Sequence, residues 1–461
     1  SDARTLVDFV DWAVKTFPAD KYALILSDHG MGWPGGWSDG DSGVSAGSNI
    51  PLASRIGDNI FTNELDQALA QIRQRTGIDK LELLGMDACL MSQLEVLTAL
   101  QPYARYAVVS EETEPSLGWA YASFLGALTE NPDMSGEEVS RMIVESYIDE
   151  DQRIADPQAR ADFLAHSSPM GGLFGAQQMS AATIINQLSK NITLTAVDLG
   201  ELPQLVEKLN DFAYTLQSVD QGIVASARNY AQSYTSIFGN QVPPSYVDLG
   251  HFAALVYKQT SDKTVQQAVK DLLTQIDATV VAEKHGAGKP GSTGIAIYFP
   301  NSTLYRSPVT GPQSYTGIAD RFARETLWDD FLGFHYADRT FDQRSTEVVD
   351  PAESAPTRHP LLAPSRARPC QMSSFMATLP HSSFGRARPL TQAGLFGGSR
   401  DGRRLSQGPF ALRSGPVTAL SARCRACYIS PQSTQGTRVG ARPGWGRRDR
   451  CRSSMSWRRP R

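Results

Sequence analysis

Two short stretches of the sequence end in side chains that can do nucleophilic chemistry. Cys89 is the last residue of the stretch "KLELLGMDAC". His29 lies in the stretch "YALILSDHG", directly before its last residue, Gly30. A thiol is a useful nucleophile as the thiolate, which a neighbouring imidazole or a helix N-terminus stabilises. The helical pattern "SQLEVLTAL" begins just beyond Cys89, and His29 can supply the imidazole or protonate a leaving amine. The backbone N–H groups of Gly30 and Cys89 are candidates for an oxyanion hole.

Each residue also has an ordinary structural interpretation. A lone Cys after a strand is more often a small buried hydrophobe, and a lone His beside a Gly is more often a loop residue. Two matched strand ends, and the absence of any other cysteine from residues 1–350, favour the catalytic interpretation. We interpret the other histidines of this region as structural or solvent-facing; they are His166, His251, His285 and His335.

The elements around these residues alternate between strand and helix patterns. Continuous apolar runs at 22–26, 80–85 and 106–110 predict buried strands, and amphipathic segments between them predict helices. This alternation predicts an α/β fold with a mainly parallel sheet covered on both faces, a three-layer αβα sandwich. The Gly-rich segment 30–60 predicts a polar, flexible loop outside the core. Ligands collect at the C-terminal edge of such sheets, so both candidate residues should emerge there.

The chain divides into parts of different character. We predict that residues 1–195 form the catalytic core and that residues 196–340 form a mostly helical sub-domain. Within the sub-domain, the segment 264–284 is predicted as one helix and the segment 294–300 as a closing strand.

The sequence has 44 Lys and Arg against 48 Asp and Glu, which gives a net charge of −4. This small value is the sum of an acidic body and a basic tail. The tail, residues 345–461, is rich in Arg, Ser, Pro and Gly and predicts disorder. Its "CRAC" lacks the second pair that a zinc site needs. Two alternative interpretations of the tail are that it binds nucleic acid or an anionic surface, and that it is translated in a shifted reading frame. The acidic body argues against nucleic acid as its partner, and no apolar run is long enough to span a membrane.

The stretches "YALILSDHGMGW", "LLGMDACLMSQLEV" and "SEETEPSLGWAY" resemble the clostripain family of bacterial cysteine peptidases, which have a caspase-like fold. The resemblance extends in order over about residues 5–336. It implies a Cys–His dyad that hydrolyses peptide bonds after Arg or Lys, with Cys89 as the nucleophile and His29 as the dyad histidine. It also implies that Asp87 is the acid at the base of the pocket for the residue before the scissile bond.

The third motif supplies further substrate-binding candidates, Glu111 and Trp119. It also departs from the family pattern, because Leu117 stands where an aspartate of the specificity pocket is usual. Losing one of two carboxylates should weaken selection of a cation by about one to several kcal/mol. Glu111, Glu112 and Glu114 could compensate, but we interpret them as solvated surface acids.

Three further expectations follow from the resemblance. The family's opening strand has no counterpart, so we expect an unpaired edge beside the strand at 22–26. Self-processing is expected after Arg55, the first basic residue beyond the His motif. No metal or cofactor is required for the chemistry. Calcium is a candidate stabiliser, and "SDGDSG" at 38–43 offers oxygen ligands without the full spacing of a calcium loop.

The sequence thus predicts a cysteine endopeptidase that acts on peptide or protein substrates through a thioester acyl-enzyme. The alternative is a weak or inactive homologue that serves as a peptide-binding module. We expect a monomer, located outside a bacterial cell or in its envelope.

Overall fold

A six-stranded sheet runs through the centre of the protein. The strands in the described residues are β1 Tyr22–Ser27, β2 Gly35–Gly36, β3 Ile60–Phe61, β4 Leu81–Asp87, β5 Ala104–Val109, β6 Thr193–Asp198, β7 Tyr246–Asp248, β8 Val280–His285, β9 Ala296–Tyr298 and β10 Thr418–Arg423. The central sheet has the order β10–β1–β4–β5–β6–β8. The first four of these are parallel neighbours, and β6 and β8 each pair antiparallel with the strand before them.

The computed structural model describes residues 2–38, 49–57, 59–167, 180–239, 242–343 and 418–423. Its α-helices are α1 Ala3–Thr16, α2 Thr62–Thr76, α3 Leu94–Leu100, α4 Tyr121–Glu130, α5 Gly136–Ser146, α6 Gln152–Ala155, α7 Pro157–Ser167, α8 Ala181–Leu188, α9 Leu202–Thr215, α10 Gln221–Tyr230, α11 Leu249–Gln259, α12 Lys263–Thr279, α13 Ser302–Tyr305, α14 Pro312–Ile318, α15 Asp320–Glu325 and α16 Trp328–Ala337.

Successive residues of the central strands face two separate hydrophobic cores. Leu24 and Leu84 pack on one side of the sheet with α1, α2, α9 and α11. Ile25 and Leu83 pack on the other side with α4, α5 and α8. Strand side chains alternate between faces, and each fully buried aliphatic side chain contributes about 2 kcal/mol. Helices therefore cover both faces, which confirms the predicted three-layer α/β fold with a mainly parallel sheet.

The second half of the chain contributes more to this sheet than the sequence predicts. The predicted boundary between residues 195 and 196 falls inside β6. The segment predicted as one helix over 264–284 ends its helix at Thr279 and continues as β8, the far edge of the sheet. A run of β-branched residues there can extend a helix or start a strand, and its pairing with β6 decides the outcome.

The strand predicted at 294–300 is present as β9, but it lies outside the central sheet. It pairs antiparallel with β7, with Tyr246 opposite Tyr298. An isolated bridge between Gln93 and Ala296 brings β9 beside the segment that follows Cys89. This part of the fold therefore supports the backbone next to the candidate nucleophile.

The described parts of the segment 30–60 are largely buried, although Asn49, Ser54 and Arg55 are exposed, so the prediction of a loop outside the core is wrong for most of them. Trp33 and Trp37 are buried, and so are Leu52 and Ala53. The short pair β2–β3 ties the two ends of the segment together. Burial of the two large indoles removes much apolar surface from water. This stabilises the segment in the core despite the polar, Gly-rich composition from which the loop was predicted.

The sheet edge beside β1, expected to be unpaired, carries β10. The two strands pair in parallel from Tyr22 opposite Thr418 to Ser27 opposite Arg423. One short segment of the tail therefore has strand structure, where the sequence predicts disorder throughout. The segment "TALSAR" has no proline to interrupt the ladder. The four tail cysteines lie outside the described residues. Within the described ranges, no helix combines the length and apolar character needed to cross a bilayer.

Candidate active site

His29 and Cys89 follow neighbouring strands at the same edge of the central sheet. β1 and β4 are parallel partners, and their last register pair is Ser27 opposite Asp87. His29 and Cys89 each lie two residues beyond that pair. The chains stay close after the strands end, since a Cβ built on Gly30 would lie 2.1 Å from the carbonyl oxygen of Cys89. The structure therefore places the two candidate residues at adjacent strand ends.

Cys89 lies on a turn whose backbone is held by the segment after β5. Leu90, the next residue, has a φ of 66°, in the left-handed region that costs a residue with a side chain about 1–2 kcal/mol. The Leu90 N–H donates to the carbonyl oxygen of Glu112 at 3.1 Å, and the Ser92 N–H donates to that of Ser110 at 2.8 Å. Leu90 is also buried. These contacts fix the turn that carries the thiol.

The Cys89 thiol is half-buried and accepts a hydrogen bond from the backbone N–H of Glu114 at 3.3 Å. Burial raises the pKa of the Cys89 thiol; the Glu114 N–H offsets part of the rise, and the charges of Glu112 and Asp87 add to it. The expected helix N-terminus does not supply the bond, because α3 begins only at Leu94. In the free protein the sulfur therefore keeps its proton at neutral pH, and attack requires a base.

His29 is exposed and its backbone is well held. Its N–H donates to Oδ1 of Asp28 at 2.7 Å, and its carbonyl oxygen accepts from the Trp37 N–H at 2.9 Å. Among the described residues, no hydrogen bond joins the imidazole to the Cys89 sulfur. Such contacts are often long in unliganded active sites and shorten when substrate binds. The exposed ring is thus accessible to both solvent and substrate.

Two buried polar side chains hold the loop after His29, and the sequence analysis missed both. Oε1 of Gln93 accepts from the Trp33 N–H at 2.8 Å, and the Tyr246 hydroxyl donates to the Met31 carbonyl oxygen at 2.6 Å. Gln93 had a local signal, as a polar residue inside the apolar stretch "LMSQLEVL". Tyr246 had none, because its partner is distant in sequence.

The predicted oxyanion-hole donors lie next to each other. The Gly30 backbone is packed against the Cys89 carbonyl, as its close approach shows. The role of their N–H groups as an oxyanion hole stays a prediction.

Asp87 is buried beside the thiol and is held by neutral groups. Its Oδ2 accepts from the Tyr121 hydroxyl at 2.8 Å and from the Ser27 hydroxyl at 3.4 Å. Gly118 covers it, with φ at +68° and space for a Cβ only 2.8 Å from Oδ2. A side chain at position 118 would meet both backbone strain and the carboxylate. Position 118 of the third motif therefore requires glycine, because Asp87 occupies the space that a side chain there would need.

Glu111 and Glu112 are buried and Glu114 is half-buried, which corrects their interpretation as solvated surface acids. Glu111 and Glu112 are 0% and 4% exposed. Burial, then the Asp248 charge, raises the pKa of Glu111 well above its usual range. Burial alone would raise the pKa of Glu112, but hydrogen bonds, the largest from Lys289 at 2.5 Å, lower it. These partners come from distant segments that local sequence does not reveal.

Glu114, and not Glu111, is the acid on which the charge of Asp87 acts. Burial, then the Asp87 charge, raises the pKa of Glu114 well above its usual range, and its Oε2 accepts from Nε1 of Trp119 at 3.1 Å. Trp119 is fully buried, and its ring lies against Gly85. Leu117 is 4% exposed and packs in the same core as Trp119. The position of the expected second aspartate is therefore a core position here.

The remaining predicted sites are peripheral. Arg55 is exposed in a turn near the end of the described range 49–57. Of the calcium candidate at 38–43, only Ser38 lies within the described residues. In the described ranges, no group of three or more His, Cys, Asp or Glu is arranged to hold a metal ion.

The histidines outside the site have structural neighbours where their side chains are described. Burial lowers the pKa of His335 to about 4. The contacts are His251 with the Gln232 N–H, His285 with Glu283, and His335 with Gln221.

Comparison with known proteins matches residues 1–335 to the model of the clostripain family. Similar solved structures include an inactive zymogen C11 protease from Parabacteroides distasonis, at 16% identity and a TM-score of 0.42, covering 72% of this chain and 75% of that one. A secreted C11 cysteine protease from Bacteroides thetaiotaomicron has 18% identity and a TM-score of 0.41, with 72% and 77% covered. A structure of a secreted C11 cysteine protease from Bacteroides thetaiotaomicron in complex with an irreversible peptide inhibitor has 17% identity and a TM-score of 0.41, covering 69% of this chain and 78% of that one. No curated protein matches the sequence.

Proposed function

The chain belongs to the clostripain family, a family of cysteine peptidases, and from that premise we propose that it cleaves peptide bonds after Arg or Lys with a Cys89–His29 dyad. The observation that carries the proposal is the placement of both residues at adjacent ends of parallel strands. Family membership makes the protein a cysteine-type endopeptidase. The two site residues and the basic specificity are the proposal.

In the proposed mechanism, the imidazole of His29 removes the Cys89 proton when substrate binds. Burial raises the pKa of the thiol, which disfavours the thiolate in the free protein, so the base is needed when substrate binds. The thiolate sulfur then forms a bond to the scissile carbonyl carbon. The carbonyl oxygen takes up the displaced electron pair, facing the N–H groups of Gly30 and Cys89.

Collapse of this intermediate breaks the C–N bond and leaves a thioester on Cys89. The proton held by His29 passes to the leaving amine. His29 then takes a proton from water, whose oxygen attacks the thioester carbon. The C–S bond breaks, the acid product leaves, and the proton held by His29 returns to the Cys89 sulfur. Formation and hydrolysis of the thioester together balance in protons and electron pairs, and they use no group other than the dyad and water.

The acid next to the nucleophile supports selection of a basic residue. Asp87 precedes Cys89 by two positions, and its charge acts on the Cys89 thiol. A carboxylate next to the nucleophile can pair with the ammonium or guanidinium group of the residue before the scissile bond. Selection depends on how far this pairing outweighs the loss of hydration of both charges.

The test uses the full chain and peptidyl-arginine and peptidyl-lysine amide reporters. The wild-type protein should turn them over, and a peptidyl-arginine chloromethyl ketone should add one mass label at Cys89. The Cys89→Ala variant should do neither while retaining the wild-type melting temperature. Equal turnover by wild type and Cys89→Ala would eliminate the proposed nucleophile. Location outside the cell or in its envelope, and a monomeric state, stay predictions that fractionation and light scattering test.

A further inference from the structure

The turn that carries the thiol is held by the backbone of residues 112–114. The Leu90 N–H donates to the Glu112 carbonyl oxygen at 3.1 Å, and the Glu114 N–H donates to the Cys89 sulfur at 3.3 Å. Leu90 has a φ of 66°, a conformation that persists where the surrounding contacts enforce it. The position of the nucleophile therefore depends on how firmly the segment around Glu112 is itself held.

The side chain of Glu112 is held by a buried ion pair. Its Oε2 lies 2.5 Å from Nζ of Lys289, and the Lys289 and Glu112 side chains are 14% and 5% exposed. The Thr113 N–H and the Thr235 N–H also donate to this carboxylate, at 2.8 Å and 3.2 Å. Lys289 in turn donates to the Ser233 carbonyl oxygen at 3.1 Å. Three segments that are distant in sequence are thus joined at one carboxylate next to the thiol turn.

The same carboxylate lies close enough to the thiol for its charge to act there. The N–H groups of Thr113 and Glu114 follow one another along the chain, and they donate to the Glu112 carboxylate and to the Cys89 sulfur. These two bonds limit the distance between the carboxylate oxygen and the sulfur to about 10 Å. At that distance in a partly buried site, an unneutralised charge shifts the pKa of a thiol by about 0.5–1. Neutralisation of Glu112 by Lys289 therefore matters for the nucleophile.

Two acids act on the thiol, and they differ in their partners. Burial raises the pKa of the Cys89 thiol, and the charges of Glu112 and then Asp87 add to the rise. Asp87 accepts hydrogen bonds from the Tyr121 and Ser27 hydroxyls, and it forms no ion pair within the described ranges. Glu112 has a lysine at ion-pair distance, so its charge is the one that the protein offsets.

We infer that Lys289 is a positioning residue for the nucleophile, which fixes the segment that holds the Cys89 turn and neutralises Glu112 beside the thiol. This inference rests on the proposed function, because it takes Cys89 as the nucleophile. Lys289 lies between β8 and β9, so the second half of the chain controls a thiol that the first half carries. Holding the segment and neutralising its charge are separable, because only neutralisation depends on the sign of the charge that is removed.

Alkylation of Cys89 measures the thiol without requiring turnover. The full chain is treated with iodoacetamide over about pH 6–10 and quenched. Mass spectrometry then follows the tryptic peptide 81–105, which contains Cys89 and no other cysteine. Lys289→Met should raise the apparent thiol pKa by about 0.5–1 and slow alkylation at about pH 8 by about 2–4-fold, and kcat/KM for an arginine reporter should fall at least as much.

The partner variants give the charge effect a sign pattern. Glu112→Gln should lower the thiol pKa, because the Lys289 charge then acts on the thiol without a counter-charge. The double variant Lys289→Met with Glu112→Gln should return the thiol pKa close to the wild-type value. A purely structural role would not move the two single variants in opposite directions and cancel in the double variant.

Two controls accompany these variants. Lys289→Arg keeps the charge and should stay close to wild type. Lys208→Met removes the lysine of a surface ion pair on α9 and should change neither alkylation nor turnover. If Lys289→Met does not fold, Glu112→Gln decides, and an unchanged or raised thiol pKa in that variant would overturn the inference.

The outcomes separate this inference from the function on which it rests. If Cys89→Ala turns over the reporters as wild type does, the proposed nucleophile fails, and Lys289 then positions no catalytic group. If wild type depends on Cys89 but Lys289→Met and Glu112→Gln both keep the wild-type thiol pKa, the proposed function stands and the role of Lys289 is overturned.

Discussion

Ser27 and Asp87 are register partners in adjacent parallel strands, and their side chains share a hydrogen bond of 3.4 Å on one face of the sheet. His29 and Cys89 each follow this pair by two residues, just beyond the ends of the two strands. The parallel pairing of β1 and β4 brings these strand ends side by side. Contacts of Gln93 and Tyr246 with the loop after His29 complete the placement.

The His29→Ala variant tests the base. We expect kcat/KM for an arginine reporter to fall by about 10²–10⁴-fold, because the buried Cys89 thiol then has no group to take its proton. The melting temperature should not change, since His29 is exposed. His285→Ala, an exposed histidine at the end of β8, is the control and should keep full activity. Wild-type turnover in His29→Ala would remove this residue from the mechanism.

Gly30→Ala tests the close approach of the two strand ends. The added methyl group would lie 2.1 Å from the Cys89 carbonyl oxygen, so the backbone must move apart. We expect activity to be lost and stability to fall by about 1–3 kcal/mol, as for other overpacked sites. Gly126→Ala, on α4 with nothing within 4 Å, should leave activity intact and stabilise slightly. Activity assays and thermal melts compare the two; an active Gly30→Ala protein would show that the strand ends are not tightly set.

The strand-end residues could be predicted because their placement depends on local apolar runs. "YALIL" and "KLELL" are long enough to fix two buried strands, and parallel strands bring their ends to one edge. The family motifs around His29, Cys89 and Asp87 added the expected roles. These parts of the prediction required no knowledge of distant contacts.

The pocket acids could not be predicted in the same way. Glu111, Glu112 and Glu114 look alike in "SEETEP", yet Glu112 pairs with Lys289, while the charges of Asp248 and Asp87 act on Glu111 and Glu114. A buried acid depends on a partner, and those partners lie elsewhere in the sequence. The β8 strand was missed for the same kind of reason, since its pairing with β6 outweighs the helical pattern before it.

Leu117→Asp tests whether the usual aspartate can be restored. Leu117 packs in the core with Trp119, so we expect the new carboxylate to destabilise the protein by about 3 kcal/mol or more without improving selection of arginine. Chemical denaturation and the arginine-to-citrulline ratio of kcat/KM measure both effects. Leu117→Met should cost less than about 1.5 kcal/mol. A stable Leu117→Asp protein with stronger basic selection would contradict the core role of this position.

Arg55 is exposed in a turn, where a second molecule or the chain's own active site can reach it. If the protein processes itself there, wild type should convert to two fragments while Arg55→Ala and Cys89→Ala stay intact. Gel electrophoresis and intact mass identify the cut. Arg75→Ala, an exposed arginine inside α2, should be processed like wild type. Fragments of unchanged size from Arg55→Ala would place the cut elsewhere.

Glu95 should make stability depend on pH. It is 1% exposed and accepts hydrogen bonds from the Tyr298 N–H at 2.9 Å and the Tyr315 hydroxyl at 2.6 Å. Burial raises its pKa from 4.5 to about 7, with the Tyr315 bond offsetting part of the rise. The folded protein therefore keeps a proton that the unfolded chain loses.

This difference fixes the sign of the effect. The contribution to stability is fully present below about pH 4.5, is lost as pH rises toward about 7, and amounts to about 3 kcal/mol. Glu95→Gln keeps an acceptor oxygen but cannot ionise, so its free energy of unfolding should fall less than that of wild type over this range. Urea denaturation at several pH values measures the difference between the two curves, and Glu130→Gln should follow wild type. If the Glu95→Gln curve runs parallel to wild type, Glu95 titrates alike in the folded and unfolded chains, and its burial does not hold the proton.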